Sequence, residues 1–554
     1  MSQHSFLKFR RTFVNVLTIL IVERCVSSDN TRSHGFENLN FPTSAQSTVV
    51  QAHFIRGVAA LHCFWYDVAI REFQESTRLE PRFAMGYWGQ AMTYNHPIWD
   101  DPQELDSARS LIAKIPTDGI SPRERGYIDA VRALYGRGDQ FDRDSAYVGK
   151  MRDLHEKYPD DPDAATFLAL ALLGSLHGDN PGNLKKRMEA AAIAMEVFSK
   201  LPTHPGAAHY LIHAFDDPDH AILALPAARQ LPLIAPEAPH AIHMPVHTYF
   251  QLGMWPEAVR ATEASRQASE EILKKDHLPP TERDYHNISW LFYAYLQQGR
   301  YHAADDLMNS LLVAVQKSID SGVRDGGFAS SMTDISSMMA MYEMESEKWD
   351  STISNDSSVD RAFDSLHADD SIVLPVTFAR AFASAMRGHE TKFLLRKLNR
   401  FSIATDETGR ELKKLLKIQQ LEVLAVAAVK RHDMGNAEVL IDRATRSEDS
   451  LPKAAGPPDV IKPAHELYGE ILLKSGKFSQ AQEQFDAALR RYPGRSRSVL
   501  GMARAKNAMG AKADAQLEYA HFLKLWSAAD IDRPELQEAR KSIEREDGLN
   551  TMPR

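Results

Sequence analysis

The sequence predicts an all-α fold built from repeated helix hairpins. Apolar residues recur at helical spacing along most of the 554-residue chain, and runs of β-branched residues are sparse. Glycine and proline number only 28 each, which suits short turns between helices. Similar segments return at a period near 34 residues. Because the chain exceeds the size of one compact core, we expect a repeat array or several domains.

The charge balance argues against a nucleic-acid partner. The chain is 44% hydrophobic and 25% charged, with a formal net charge of −9 at pH 7. A chain of this charge offers no general basic surface for a phosphate backbone or an anionic membrane. We therefore expect no nucleic acid and no membrane contact beyond a possible signal anchor.

Residues 1–28 are predicted to be a signal peptide. A positively charged start precedes the apolar run Thr12–Val22, and small residues follow at Val26–Ser28. That run is shorter than the roughly 20 residues a membrane-spanning helix needs, so a cleaved signal is favoured over an uncleaved signal anchor. The expected location is secreted, extracytoplasmic or lumenal. Cleavage would remove Cys25 and leave Cys63 as the one remaining cysteine, which excludes an intrachain disulfide.

Two glycosylation sequons begin at Asn287 and Asn355. They have meaning only in a eukaryotic secretory route, where the chain would be a glycoprotein. Asn355 lies in a polar stretch and suits a glycan. Asn287 opens an apolar helix, where burial would block one.

The C-terminal segment from Pro463 to Pro493 shows the repeat most clearly. It places small, aromatic and turn residues at fixed intervals: Gly469, Leu472, Gly476, Ala481, Phe485, Ala488 and Pro493. Small residues let two helices approach closely, the aromatic fills the space between them, and proline ends the second helix. These positions match slots 8, 11, 15, 20, 24, 27 and 32 of the tetratricopeptide repeat (TPR), which the segment resembles. The resemblance implies a right-handed superhelical solenoid of TPR-type helix hairpins.

An N-terminal repeat follows the same pattern. It places Gly57, Ala60, Ala69, Phe73 and Pro81 at slots 8, 11, 20, 24 and 32. Residues 53–300 also resemble a poorly characterised group of TPR proteins, through the segments LHCFWY, YWGQAMTYNHPIW and HPGAAHYLIH. That closer resemblance implies no particular reaction.

Polar stretches divide the predicted repeats into segments. The expected order is a signal segment, an N-terminal solenoid with a histidine-rich groove, a polar linker, a helical segment, C-terminal repeats and a polar helical tail, at residues 1–28, 50–345, 346–371, 372–446, 464–525 and 526–554.

Two histidine pairs occupy equivalent positions in neighbouring repeats. Repeats that begin at Pro205 and Pro239 place two pairs at slots 5 and 9: His209 and His213, then His243 and His247. The TPR resemblance implies that these slots line a concave groove. Residues four apart share one helix face, and neighbouring helices pack about 8–10 Å apart. The four imidazoles are therefore predicted metal ligands.

Other polar residues fall at nearby groove slots. His240 is at slot 2 of its repeat, and His286 and Tyr293 are at slots 2 and 9 of the next, so all three are predicted to line the ligand groove. Asp216 and Asp217 fall at slots 12 and 13 beside the first histidine pair. If a bound metal activates water, these two carboxylates are the candidate general bases.

The residue types restrict the metal. Neutral imidazole favours Zn, Cu, Fe or Ni over Ca or Mg, so Zn, Cu or Fe is the expected cofactor if a metal binds. Two readings without metal stay open. The histidines would then hydrogen-bond across the repeat interface, or they would become cationic near pH 6.5 and bind an acidic peptide or carboxylate.

The leading functional hypothesis is a secreted, non-catalytic binding protein with a peptide or protein ligand in its groove, since solenoids commonly use extended concave surfaces. The alternative is a metal-dependent enzyme of unknown reaction that uses the same histidines. No HExxH, GxSxG, Walker or Rossmann motif supports the alternative. The C-terminal groove slots hold Glu466, Glu470 and Lys474, a pattern that suits a basic peptide or a solvated face alike.

Overall fold

The computed structural model describes residues 39–98, 103–178, 180, 182–278, 283–322, 326–349, 360–361, 363–364, 370–400 and 407–547. The predicted signal segment 1–28, the sequon at Asn355 and most of the predicted linker 346–371 lie outside these residues.

Every regular element in the described part of the chain is an α-helix, and consecutive helices pack side by side. The predicted all-α class, built from consecutive helices that pack side by side, is confirmed in the described residues. Contacts separate the chain into two compact units, which meet in sequence between Thr248 and Tyr249. They are called here the N-terminal unit, up to Thr248, and the C-terminal unit, from Tyr249. This division falls inside the predicted segment 50–345.

The N-terminal unit is built from short and medium helices. In chain order they are α1 Thr48–His62, α2 Tyr66–Leu79, α3 Ala84–Met92, α4 Leu105–Ile112, α5 Pro122–Leu134, α6 Gln140–Lys157, α7 Pro162–Gly174, α8 Asn183–Lys200, α9 Pro205–Ala214, α10 Ala221–Ile234 and α11 Pro239–His243. Helix α12, Pro245–Gln251, contains the division between the two units.

The C-terminal unit continues the helical pattern with several longer helices. They are α13 Trp255–Lys275, α14 Tyr285–Gln297, α15 Tyr301–Asp320, α16 Gly326–Ser346, α17 Asp370–Met386, α18 Lys392–Asn399, α19 Glu407–Lys430, α20 Met434–Asp449, α21 Ala464–Lys474, α22 Phe478–Arg491, α23 Ser496–Ala508, α24 Lys512–Leu525 and α25 Pro534–Asp547.

One aromatic ring organises the first repeat. Phe73 on α2 is fully buried and faces glycines on both neighbouring helices. A Cβ atom would lie 2.6 Å from this ring at Gly57 on α1, and 2.4 Å from it at Gly89 on α3. Neither glycine therefore has room for a side chain, which is the close helix approach that the repeat pattern predicts.

The C-terminal unit uses the same packing. Phe485 on α22 is fully buried between Gly469 on α21 and Gly501 on α23. A Cβ atom would lie 2.8 Å from the ring at the first glycine and 2.3 Å at the second. Two repeats far apart in the chain thus pack a phenylalanine ring between two glycines in the same way.

Helices α7 and α9 run through the interior of the N-terminal unit. Helix α7 is buried continuously from Asp163 to Leu173, and α9 from Pro205 to Ile212. A helix that is covered on all sides also buries its polar side chains. Those side chains need hydrogen-bonding partners inside the fold, because unpaired buried polar groups are costly.

The predicted single helix that carries His243 and His247 is interrupted, and this correction affects the site. Helix α11 ends at His243 after five residues, and α12 begins at Pro245. Proline has no backbone N–H to continue the hydrogen-bond ladder. His243 and His247 therefore stand on two short helices, which Met244 joins with helical backbone angles.

Two further features bear on the sequence predictions. No helix in the described residues is long and apolar enough to cross a membrane. Asn287 is fully buried near the start of α14, where its side-chain amide donates a hydrogen bond to the carbonyl of Thr262 at 3.1 Å. A glycan on Asn287 would require this turn of α14 to open.

Candidate metal centre

Helix α9 carries the first histidine pair into the interior. His204 caps the helix, since its Nδ1 accepts the backbone N–H of Ala207 at 3.2 Å. Pro205 follows at the first helical position, where its missing N–H costs nothing. Gly206 allows α1 to approach, because a Cβ atom there would lie 2.4 Å from Nδ1 of His62. This start fixes the face on which His209 and His213 stand.

The proton position on His209 is fixed by the end of α1. His62 is the last residue of α1, so its carbonyl lacks a partner within the helix. Nδ1 of His209 lies 2.6 Å from that carbonyl oxygen. Because a carbonyl only accepts hydrogen bonds, Nδ1 carries the proton. Burial lowers the pKa of His209 to about 3, so at neutral pH Nε2 is an acceptor.

The structure brings three imidazoles together around that acceptor. Nε2 of His213 lies 3.1 Å from Nε2 of His209. One ring nitrogen from each of His209, His213 and His240 lies within 4.8 Å of the other two. Nitrogens bound at 2.0–2.1 Å to a tetrahedral ion are about 3.4 Å apart, so only small movements would close this triad on a metal. The arrangement offers three imidazoles as ligands, and the proton that His209 and His213 share between their Nε2 atoms would leave when a metal binds.

His240, which the sequence placed in the groove beside the four predicted ligands, is one of the three clustered imidazoles. It is partly buried on α11, with its ring centre 5.1 Å from that of His209. Burial first, and then the neighbouring imidazoles, hold the pKa of His240 well below its usual range. Its position at slot 2 of the repeat was the one sequence signal that could have promoted it to the ligand set.

The predicted ligands His243 and His247 lie beside this triad. Their ring centres are 5.2 Å apart, and the ring centre of His247 is 5.8 Å from that of His213. Nδ1 of His247 lies 2.7 Å from a carboxylate oxygen of Asp216. A carboxylate on one ring nitrogen orients the imidazole and raises its basicity, as at many metal sites. Asp216 therefore acts on a histidine and is not placed as a free base.

Asp217 is occupied by structural partners. One of its oxygens accepts the backbone N–H groups of Asp219 and His220, at 2.9 and 3.1 Å. The His220 imidazole lies 2.8 Å away, and Arg187 pairs with the second oxygen. The carboxylate thus fastens the turn between α9 and α10. Its role as a general base remains a prediction without support from this geometry.

Phe64 covers the triad from the α1 side. Its backbone has a φ of 53°, in the left-handed region that aromatic residues rarely adopt. The ring centre lies 4.4 Å from that of His209, and the ring stacks on His240 at 5.6 Å. Strained backbone of this kind persists where the surrounding structure requires it. The strain here places an aromatic wall against the imidazoles.

A second histidine cluster lies behind the first. Asp163 on α7 is fully buried, with Oδ1 3.1 Å from Nε2 of His62 and 3.4 Å from Nε2 of His204. The three residues could also bring ligand atoms within 4.8 Å of one another. The Nδ1 atom of His204 already accepts a backbone N–H, however, so in the neutral ring its proton is on Nε2. His204 would therefore have to lose the Nε2 proton, or the helix cap at Nδ1, before it could bind a metal.

The second cluster is better described as a carboxylate that accepts a hydrogen bond from His62 and lies within ion-pair distance of His204. The hydroxyl of Tyr210 lies 2.8 Å from Nδ1 of His62, which leaves Nε2 of that ring to donate to Asp163. Burial would raise the pKa of Asp163, but the hydrogen bonds from His204 and His62 outweigh it and hold the pKa well below its usual range. The two clusters thus differ in composition: one is a carboxylate with imidazole partners, and the other consists of imidazoles alone.

The remaining groove residues lie in the C-terminal unit. His286 stands in the first turn of α14, with its ring centre 5.2 Å from that of Trp290. Tyr293 is buried, and Arg495 donates a hydrogen bond to its hydroxyl at 2.9 Å. Their assignment to a ligand groove stays a prediction.

Glu466 lies in neither a peptide-binding surface nor a solvated face, the two alternatives that the sequence left open for the C-terminal groove slots. Its side chain is fully buried, and Arg495 binds both of its oxygens at 2.7 and 2.9 Å. Lys462 and Ser498 donate to the same carboxylate at 3.0 and 2.6 Å. Glu466 is therefore neither solvated nor open to a peptide.

Comparisons with known proteins add a limited result. No protein-family model and no curated protein matches the chain. Among solved structures, the chain is similar to yeast Tom70, with 12% identity, a TM-score of 0.32 and coverage of 90% of this chain and 96% of that one. It is also similar to human IFIT1 solved as a dimer with m7Gppp-AAAA, at 13% identity and TM-score 0.35, over 87% and 95% of the two chains. The TPR domain of P58(IPK) gives 13% and 0.23, over 71% and 100%. At these values no partner or ligand is transferred to this chain.

Proposed function

We propose that this chain is a helical-repeat binding protein that holds one transition-metal ion on His209, His213 and His240. The observation that supports this most strongly is the 2.6 Å contact between Nδ1 of His209 and the carbonyl oxygen of His62. That carbonyl can only accept a hydrogen bond, so it holds the proton on Nδ1 and leaves Nε2, which lies 3.1 Å from Nε2 of His213, as the acceptor. Metal-binding histidines commonly donate their second N–H in this way.

The charge state of the cluster supports a cation over an anion. A groove that binds acidic peptides would need protonated imidazoles at working pH. Burial instead lowers the pKa of His209 to about 3 and holds that of His240 well below its usual range. Neutral imidazole suits Zn, Cu or Fe. Among these, Zn²⁺ requires no change of oxidation state and is the first ion to test.

Metal analysis of the purified chain tests the proposal. We expect about one equivalent of Zn²⁺, Cu or Fe per chain, and loss of binding in His209→Ala, His213→Ala and His240→Ala. The matched control is His177→Ala, which removes a partly exposed histidine that pairs with Asp144. Absence of metal after expression in metal-replete medium, together with no Zn²⁺ uptake in vitro, would refute the proposal.

A fifth variant separates the triad from the wider set predicted by sequence. If the three imidazoles hold the ion alone, His243→Ala should keep the affinity within a few fold. Loss of binding in His243→Ala would instead favour the four-histidine set of His209, His213, His243 and His247.

The peptide or protein ligand, and a secreted or extracytoplasmic location, are further parts of the proposal. They rest on the repeat pattern and on residues 1–28 of the sequence. N-terminal sequencing of the protein from its native host tests export, with cleavage expected near Val26–Ser28. A metal-dependent enzyme gains no support from Asp216 or Asp217, since both carboxylates are already bound by neighbouring side chains.

A further inference from the structure

We infer that Asp163 is a positioning residue for the metal centre, an inference that rests on the proposed function of the His209, His213 and His240 triad. The carboxylate does not touch the proposed ion. It joins helices α1, α7 and α9, and through His62 it fixes which nitrogen of His209 is free to bind metal.

The first link runs from Asp163 to α1. Oδ1 of Asp163 lies 3.1 Å from Nε2 of His62, and the Tyr210 hydroxyl lies 2.8 Å from the other nitrogen of that ring. Both nitrogens of His62 are thus engaged, and the side chain is fully buried. The last residue of α1 is therefore held at its side chain. Its backbone carbonyl is the one that meets Nδ1 of His209.

The second link runs from Asp163 to α9. The same Oδ1 atom lies 3.4 Å from Nε2 of His204, whose Nδ1 caps the helix. Five residues later the helix carries His209. One carboxylate oxygen therefore ties the end of α1 to the start of α9, which are the two elements that meet in the bond between the His62 carbonyl and Nδ1 of His209.

The second oxygen of Asp163 shows how specific this arrangement is. Oδ2 is buried and has no hydrogen-bond partner. Leaving a carboxylate oxygen unpaired in a protein interior is costly. An acid retained there with one unpaired oxygen is poorly explained by stability alone. The carboxylate would have a role if it positions His62 and His204, which lie beside the start of helix α9.

The test compares two buried carboxylates in the N-terminal unit. Asp163→Asn keeps the size of the side chain and removes the negative charge that faces Nε2 of His62 and Nε2 of His204. The control is Glu124→Gln, a change in a fully buried carboxylate that caps α5 through Ser121 and Ser44. Co²⁺ affinity is measured on the full chain by chelator competition, together with the d–d absorption of the bound ion. We expect Asp163→Asn to bind Co²⁺ about 10–100-fold more weakly, as is common when an outer partner of a ligand is lost, and Glu124→Gln to stay within about twofold.

A second readout does not depend on metal. In the metal-free chain, ¹⁵N NMR of the histidine rings reports which nitrogen of His209 carries the proton. We expect the Nδ1–H form alone in the native chain and in Glu124→Gln, and a mixture of both forms in Asp163→Asn. Tyr210→Phe loses only the hydroxyl that faces His62, so it provides a milder variant if Asp163→Asn fails to fold. It should shift both readouts in the same direction.

The outcomes separate the two proposals. If the native chain binds no Co²⁺ while the ¹⁵N pattern still responds to Asp163→Asn, the metal function fails and the positioning role stands. If the native chain binds Co²⁺ and both Asp163→Asn and Tyr210→Phe keep the native affinity, spectrum and proton position, the positioning role is refuted and the metal centre stands.

Discussion

The two units bury polar groups in opposite ways. The N-terminal unit buries imidazoles around one carboxylate, with His62, His204 and His209 at or near zero exposure. The C-terminal unit buries permanent charges, with Arg495 bound to Glu466 through two hydrogen bonds and paired with Glu345 at 2.6 Å. Both interiors are polar, but one is largely neutral and the other is ionic.

The difference shows why one cluster is a candidate site and the other is not. An arginine has only donors and a carboxylate only acceptors, so Arg495 and Glu466 satisfy each other inside the fold. A neutral imidazole has one donor and one acceptor. When the His62 carbonyl takes the donor of His209, an acceptor is left for something else. Ligand capacity therefore follows from proton placement and not from polarity.

The largest predicted effect breaks the ionic cluster. Arg495→Met leaves Glu466 and Glu345 buried without their arginine and should lower the free energy of unfolding by about 3–5 kcal/mol. The control is Arg490→Met, which removes an exposed helical pair with Asp486 and should cost well under 1 kcal/mol. Urea unfolding measures both. A loss below about 1 kcal/mol for Arg495→Met would mean that the buried charges are not mutually dependent.

The second prediction concerns metal and should affect one unit only. Zn²⁺ at one hundred times its dissociation constant should stabilise the N-terminal unit by about 2.7 kcal/mol, because the ion binds the folded state. Hydrogen exchange followed by mass spectrometry measures the amide exchange rates of α9 and α21 separately. Slower exchange is expected in α9 and no change in α21. Equal protection of both helices would contradict a site confined to the histidine cluster.

The third prediction tests what the units share. Gly57→Ala and Gly469→Ala each push a Cβ atom against a buried phenylalanine ring. Overpacking of this kind costs about 1–3 kcal/mol, and the two values should be similar because the geometry is similar. Thermal or urea unfolding provides the values. A large inequality would show that the repeat packing is not equivalent in the two units.

The smallest expected effect is that of pH. Lowering the pH should decrease the stability of the N-terminal unit and increase that of the C-terminal unit. His209 has a pKa of about 3 when folded and 6.5 unfolded, so the unfolded state binds more protons in between. Stability of the N-terminal unit should fall as the pH drops below 6.5, by at most about 1.4 kcal/mol per pH unit from this group.

The C-terminal unit contains carboxyls that behave in the reverse way. Burial raises the pKa of Glu422 well above its usual range and also raises that of Glu448. The folded state keeps these protons longer, so their contribution grows as the pH falls from 7 toward 4.5. Hydrogen-exchange protection at pH 7 and pH 5, corrected for intrinsic rates, should decrease in α9 and not in α19. Parallel loss in both helices would overturn the contrast.

The repeat pattern predicted the fold because its cause is local. Glycine and phenylalanine sixteen positions apart, as at Gly57 and Phe73, must meet when two helices fold back on each other. The same reasoning placed His209 and His213 on one face of α9. Helical periodicity therefore predicted correctly which residues share a face wherever the helix is continuous.

The site was predicted only in part, for two physical reasons. Pro245 interrupts the second helix, so the sequence did not show that His243 and His247 stand on two short helices, although their ring centres are 5.2 Å apart as the spacing predicts. The partners that set proton positions are distant in the chain: His62 lies 147 residues before His209, and 101 residues before Asp163. Spacing along a sequence does not reveal which carbonyl an imidazole will meet.

The bond from the His62 carbonyl to His209 also limits how the site can be moved to another protein. All three proposed ligands fall between residues 204 and 240, a stretch short enough to synthesise or graft. That peptide would carry the nitrogens but not the end of α1, and His209 would be free to place its proton on either nitrogen. The three ligands lie within one short stretch of the chain, whereas the carbonyl that sets the proton position on His209 belongs to a residue far outside that stretch.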